Sequence, residues 1–270
     1  NFWSLNLGGN FAGSTLDDRL TRGGPLARSP GSTSLNVIVG SDTRKPLAFT
    51  AGWSGSWDSF DGGRNFAPTV SMTVRPKSNV LLSIAPTLRR QRASHQYVET
   101  EVDPSASATF GSRYVFASLD QTTFSADTRI NWTFTPTLSL EVFAQPFVSA
   151  GRYARFGELE RPSTSRYAVY GETRGTISAT TDSVTIDPDG AQGAPSFAIE
   201  NPDFNIRSLR GNAVLRWEYR PGSALFVVWQ QQRSGSTSFG DFDFERDVSA
   251  IFRQPLTNVF LVKLTYWLGL

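Results

Sequence analysis

The sequence predicts an all-β chain folded as an antiparallel transmembrane β-barrel of the bacterial outer membrane, and three observations carry that reading. Long stretches alternate apolar and polar residues with a period of two. The connections between them divide into a short class rich in proline and a long polar class. The C-terminal stretch repeats the alternation with aromatics near its end.

The clearest alternation spans 123–134. Phe124, Ala126, Thr128, Ile130, Trp132 and Phe134 fall on one face, and Ser125, Asp127, Arg129, Asn131 and Thr133 on the other. Successive strand side chains point to opposite faces, so one face is apolar and aromatic and the other polar and charged. A soluble sandwich alternates in the same way. Length separates the two, because this run is about a dozen residues, against about 5–6 for a mean soluble strand and about 9–11 for a tilted membrane strand. The same pattern recurs at 3–11, 34–39, 49–58, 69–75, 80–89, 138–149 and 212–219. Shorter or less regular alternation occupies 96–103, 108–119 and 223–234; in the last, Phe226 and Val228 share a face with Gln230 and Gln232.

The short connections are 42–46, 75–79, 135–137 and 220–223; the long ones are 12–30, 150–204 and 235–256. Outer-membrane barrels have this asymmetry, with the short turns in the periplasm. Threading the chain gives about twelve strands, closing on themselves or forming part of a larger barrel, the first running outward and the last returning, which places the C-terminus in the periplasm. Within 150–204, Tyr167 to Tyr170 and Thr176 to Ile186 are candidates for a hairpin above the membrane, and Asp187-Pro188-Asp189-Gly190 is a turn signal. In the last strand Phe260, Val262, Leu264, Tyr266, Leu268 and Leu270 share one face and Lys263 and Thr265 the other. This is similar to the C-terminal signal by which barrels dock on the barrel-assembly machinery, with Leu270 where a Phe is usual.

The lipid-facing set is therefore Phe124, Ile130, Trp132, Phe134, Val262, Leu264, Tyr266 and Leu268, and the expected partner of that face is outer-membrane lipid. The lumen-lining set is Arg75, Arg89, Asp127, Arg129, Glu141, Arg216, Glu218 and Lys263. Its mixed signs favour salt-bridge ladders that fill the barrel over a charged pore that selects solutes.

Composition narrows the chemistry. With no cysteine, disulfides and Cys-based metal sites are excluded, and one histidine, His95, excludes schemes that need two imidazoles. A formal net charge of +2 gives no field that would gather nucleic acid. Mean hydropathy is −0.26, and there is no apolar run of about 18 residues for a membrane helix. Alternating strands keep barrel hydropathy low, so neither fact counts against a barrel. The chain opens on Asn1-Phe2-Trp3, already strand-like and without a leader pattern, so residue 1 of an exported protein is expected to be a mature or internal position.

Other motifs yield to plainer readings. Ser94 and His95 are adjacent, which does not present a nucleophile to its base as a barrel hydrolase requires, and His95 reads as a loop histidine. Asp241, Asp243, Glu245 and Asp247 have oxygen-ligand spacing for calcium but read as a solvated loop with Phe242 and Phe244 tucked onto the rim. Asp17 and Asp18 read the same way. Arg22-Gly23-Gly24-Pro25 reads as a structural turn before a ligand-binding loop. Gly52-Trp53-Ser54-Gly55 is not a nucleophile elbow, because the second glycine comes one residue early. No cofactor, metal or catalytic residue is expected.

Several segments together resemble a family of large outer-membrane proteins known as a domain of unknown function. They are Thr21-Arg22-Gly23-Gly24-Pro25, Arg113-Tyr114-Val115-Phe116-Ala117, 122–134, 136–147, Phe156-Gly157-Glu158-Leu159, and 258–268 with its core Lys263-Leu264-Thr265-Tyr266-Trp267. The resemblance implies a barrel preceded by a family-9-type carbohydrate-binding module, with this chain as the C-terminal region of a longer protein. It implies a porin-like barrel that anchors that module and binds or passes a solute such as a glycan. The rival readings are the C-terminal half of a TonB-dependent transporter barrel, a barrel hydrolase, and a soluble sandwich.

Overall fold

The computed structural model describes residues 2–59, 62–190 and 193–268. The chain opens with β1 (Ser4–Ala12), β2 (Thr15–Asp17), β3 (Ala27–Ser29), β4 (Ser32–Gly40), β5 (Leu47–Asp58) and β6 (Arg64–Lys77). Three very long strands follow, β7 (Val80–Val102), β8 (Ser112–Thr135) and β9 (Leu138–Leu159). Short strands β10 (Tyr167–Val169), β11 (Thr176–Ala179), β12 (Ser183–Asp187) and β13 (Phe197–Glu200) come next. The chain ends with β14 (Phe204–Arg220), β15 (Ser223–Thr237), helix α1 (Phe244–Ile251) and β16 (Leu256–Thr265).

Ten strands form one antiparallel wall in the order β1-β4-β5-β6-β7-β8-β9-β14-β15-β16, with β10 added beside the end of β9. One sequence expectation is corrected, the strand count, and one that the sequence left open, closure of the barrel within this chain, is answered for the described residues. The count is ten rather than about twelve, because 80–89 and 96–103 belong to the single strand β7, and 108–119 and 123–134 merge in β8. Register shifts at Ala93/Gln96, Tyr97/Glu99 and Phe116/Ser118 explain the split. A bulge inserts one residue and reverses the alternation while the backbone continues, so an unbroken strand reads as two. The wall also does not close: among the described residues β1 pairs with β4 and β16 with β15, and the other edge of each is unpaired.

Register makes the wall two-faced. A single cross-strand row runs Leu47, Val74, Leu82, Ile130, Val142, Ala213, Trp229, Phe260 through eight neighbouring strands. One residue away, on the other face, a row runs Thr73, Ser83, Arg129, Phe143, Asn212, Gln230, Val259. The less regular β15 is resolved by its partners: Leu225, Val227 and Trp229 join the apolar face, while Phe226, Val228, Gln230 and Gln232 join the polar one.

The short connections all lie at one end of the wall, and their residues lock it. At the β4–β5 turn the Asp42 carboxylate accepts from the Arg44 backbone N–H at 3.1 Å and from its guanidinium at 2.9 and 2.8 Å. At the β6–β7 turn Asn79 donates across to the Thr133 carbonyl at 2.7 Å. The β14–β15 turn uses Pro221 and then Gly222, whose φ of 75° suits glycine.

At the other end β7, β8 and β9 reach 23, 24 and 22 residues and outlast their neighbours. Their projecting ends carry the buried core. Val115, Ala117 and Phe156 pack with Tyr170, Val184, Ile186 and Ile199, and Phe116 and Leu159 pack with Ala27 from the β2–β3 hairpin. The expected hairpin between 167–170 and 176–186 is replaced by a different pairing, in which β10 adds to β9 and β11, β12 and β13 form their own sheet. The turn after it is as expected: Asp187 accepts from the Gly190 N–H at 2.9 Å, and Gly190 has φ 68°.

Ile186 is fully buried at the centre of this lobe. Ile186→Ala is expected to destabilise the lobe by about 2–5 kcal/mol. The measurement is urea-dependent proteolysis, in which cleavage within 160–203 should shift to lower urea while wall peptides stay unchanged.

Candidate functional site

The polar face of the wall gathers the predicted lumen residues. Asp127 accepts from Gln145 at 2.6 Å, and Arg129 lies over the Phe143 ring at 4.9 Å. Arg89 donates to Asn65 at 2.6 Å, and Arg75, near the turns, to the Thr43 carbonyl at 3.2 Å. Arg216 pairs with Glu218 at 2.8 Å. Lys263 is opposite Phe226, which is opposite Arg216, and Glu141 lies between Asn131 and Val214. Among the described residues Arg216–Glu218 is the one ion pair within this set, so the expected ladder of salt bridges gives way to amide and aromatic partners.

Those partners are what sequence reading missed. A groove of about 250 Å³ is lined by Phe143, Arg210, Asn212, Gln230, Gln232 and Thr257. Further up the same face, outside the groove, Gln121 donates to Ser149 at 2.9 Å and Thr123 and Ser149 share a hydrogen bond at 2.9 Å. Amides, hydroxyls and a guanidinium beside an aromatic ring form a surface able to bind polyhydroxylated solutes by hydrogen bonding. Only the register brings Arg210 and Phe143, far apart in sequence, to one place.

On the other face, Ile130, Trp132, Val262 and Leu264 lie along rows of apolar partners. The Trp132 and Phe134 rings stand 4.3 Å apart. Phe124 also contacts the Phe244 ring of α1 at 5.0 Å, so the helix covers part of it. The Tyr266 hydroxyl accepts from Arg220 at 2.7 Å, Leu268 is exposed, and Leu270 lies outside the described residues.

The projecting lobe holds a buried ionic cluster. Arg113 donates to Asp103 at 2.6 Å and to both Glu158 oxygens at 2.8 Å, while the Tyr170 hydroxyl donates to Glu158 at 2.8 Å and Arg174 joins it. Burial opposes the charge on Asp103, but hydrogen bonds from Ser105 and Arg113 outweigh it and hold the carboxyl below its usual range. Burial and the Glu158 charge push the Tyr170 hydroxyl well above its usual range. Removing one member of such a cluster strands a buried charge, which costs about 3–5 kcal/mol. The role is structural, tying β8, β9 and the segment after β10 together.

His95 corrects another expectation, since it lies in strand β7 rather than a loop. Its ring stacks on Tyr167 at 3.7 Å, in a polar recess with Ser94, Ser118, Arg155 and Glu160. Burial, and then the Arg155 charge, lower its imidazole from the ordinary 6.5 to about 4. The acidic run 241–247 also forms a helix cap rather than a solvated loop: Asp243 accepts from the Arg246 N–H at 2.7 Å, and the fully buried Asp247 accepts from Asn205 at 3.0 Å and Arg246 at 2.9 Å. No group of three potential ligands is placed to hold a metal among the described residues. Asp17 accepts from the Arg19 N–H at 2.7 Å. Arg22-Gly23-Gly24-Pro25 is a packing turn: Arg22 lies over Tyr97 at 4.8 Å, Thr21 donates to the Pro25 carbonyl at 2.7 Å, and Gly24 sits so close to the Tyr114 ring that no Cβ fits.

A His whose folded pKa is depressed contributes stability above its unfolded value and loses it as pH falls toward the folded one. The lobe is therefore expected to weaken as pH drops from about 6.5 to about 4. His95→Phe, which keeps a ring for Tyr167, should flatten this dependence in thermal melts read by proteolysis of the lobe.

No curated protein matches the chain. Among solved structures it is similar to the copper transporter OprC, with a TM-score of 0.48 and 11% identity over 96% of this chain and 37% of that one. The chain thus spans little more than a third of that chain's length. The family model of DUF5916, a domain of unknown function, matches residues 17–270, from the β2–β3 hairpin to the C-terminal end of the chain. With nine of the ten wall strands and the lobe inside that match, the chain belongs to the DUF5916 family.

Proposed function

We propose that this chain is a wall segment of an outer-membrane β-barrel larger than itself, with its polar face lining the lumen and its short turns and C-terminus in the periplasm. The observation that carries the reading is the apolar row through eight strands with no second sheet packed over it among the described residues, joined to the separation of short turns from long loops. A contiguous exposed apolar surface of this extent marks a membrane or a partner.

The two unpaired edges support the larger barrel. In a bilayer each unsatisfied backbone group costs several kcal/mol, so spanning sheets have no open edges. Further strands beside β1 and β16 complete the wall, and the segment from Phe260 to Leu270 is the one that docks on the barrel-assembly machinery. The barrel anchors an N-terminal carbohydrate-binding module, and the amide-rich polar face binds or passes a glycan-like solute. The first element rests on the family resemblance, the second on the groove at Phe143 and Arg210.

A cysteine-pair scan in native membranes tests the size. In the larger barrel, positions on β1 such as Leu5 and Leu7 cross-link to strands outside this chain. Efficient β1–β16 cross-linking in one register would instead mean a closed barrel of ten strands. The orientation of the faces has its own test. Ile130→Arg should impair insertion into phospholipid vesicles by about 2–4 kcal/mol, the cost of an arginine on a lipid face, and Asn131→Arg should not. Equal losses from both would sink the assignment of faces.

A further inference from the structure

At the upper margin of the apolar face the rows change character. One runs Trp57, Arg64, Arg92, Asp120, Arg152 and the next runs Gly55, Phe66, Arg90, Thr122, Ala150. Below them the same face continues through Trp53 and Pro68, Leu88 and Phe124, and Met72 and Ile84. The two upper rows floor a cavity of about 640 Å³, walled on one side by Gly240, Asp241 and Phe242.

Four guanidiniums, from Arg64, Arg90, Arg92 and Arg152, line this cavity against the two carboxylates of Asp120 and Asp241. Arg152 approaches Asp241 at 3.8 Å with both exposed. No ion pair among the described residues engages Arg64, Arg90 or Arg92. Arg64 stands directly opposite Arg92, and like charges in that relation repel unless an anion lies between them. Beside them Trp53 packs against Trp57 at 6.0 Å and Phe66 at 6.1 Å. Gly55 permits this, since a Cβ there would run into both indoles. Amphipathic aromatics of this kind favour the membrane–water interface.

We infer that this cavity binds a phosphorylated glycolipid of the outer leaflet, with phosphate on the arginines, sugar against the indoles, and acyl chains on the apolar face below. The inference rests on the barrel reading for the side of the wall that meets lipid. A lipid rather than a free anion is favoured because the cavity opens directly onto the apolar face. Arginine forks match phosphate oxygens in pairs, and the volume lies within the usual range of ligand sites.

The test is lipid retention by the full chain in detergent micelles, read by native mass spectrometry with diphosphorylated and dephosphorylated lipid A as probes. The wild type should retain the diphosphorylated form about tenfold better, and Arg90→Gln with Arg92→Gln should abolish the preference. Equal retention of both lipids, or a preference that survives the double substitution, overturns the inference. Competition by soluble glucosamine bisphosphate as effective as that of the lipid also overturns it, marking a site for a free anion. Protease protection in phosphatidylcholine vesicles, run alongside, reports on the barrel reading separately, because micelle binding needs no insertion.

Discussion

Each backbone amide inside the wall needs a partner on a neighbouring strand, and each strand turns alternate side chains to opposite faces. Together these tie every strand's apolar residues to those of the next, because a slip of one residue would move a whole strand's set to the wrong face. The row from Leu47 to Phe260 is the outcome, held at its lower end by Asp42–Arg44 and Asn79–Thr133. Ser223 adds to it by accepting from the Trp267 N–H at 2.9 Å. The polar face, the aromatic margin and the arginine rows all inherit their positions from that register.

The wall and the lobe are stabilised differently. The buried residues concentrate where β7, β8 and β9 project, around Val115, Phe116, Ile186 and the Arg113 cluster, and this part has an interior of its own. The lower wall has almost none. Leu5, Leu7 and Val262 are 62, 70 and 70% exposed. Apolar burial contributes about 25 cal/mol per Å², so the lower strands, which bury little, depend on backbone pairing and on whatever covers their apolar face. The bulges near Ala93 and Phe116 mark the boundary between the two regimes, where the strict alternation of the wall is no longer needed.

Charge follows the same division. In the lobe it is buried and paired, as at Arg113 and Glu158, and serves cohesion. On the polar face it is spread among amides and rings, as at Asp127–Gln145 and Arg129–Phe143, which leaves a hydrogen-bonding surface rather than a field of one sign. At the upper margin of the apolar face the arginines stand beside tryptophans with few counter-charges. Three environments therefore give the same residue type three roles.

The sequence by itself determined the secondary-structure class, the strand faces, and the turn and loop ends, since period-two alternation and turn chemistry are local properties of the chain. It located β1, β5, the lower part of β8, and β16, and the faces of Ile130 and Val262 followed. It divided β7 and β8 in two, because a bulge erases the alternation without ending the strand. Only the tertiary structure decided that the ten strands do not close among the described residues, that Arg113 meets Glu158, that Asp247 of α1 is buried against Asn205, and that Arg64 and Arg92 face each other. These depend on contacts between residues distant in sequence, whose register is set by backbone pairing across the whole wall and leaves no local trace in the order of amino acids.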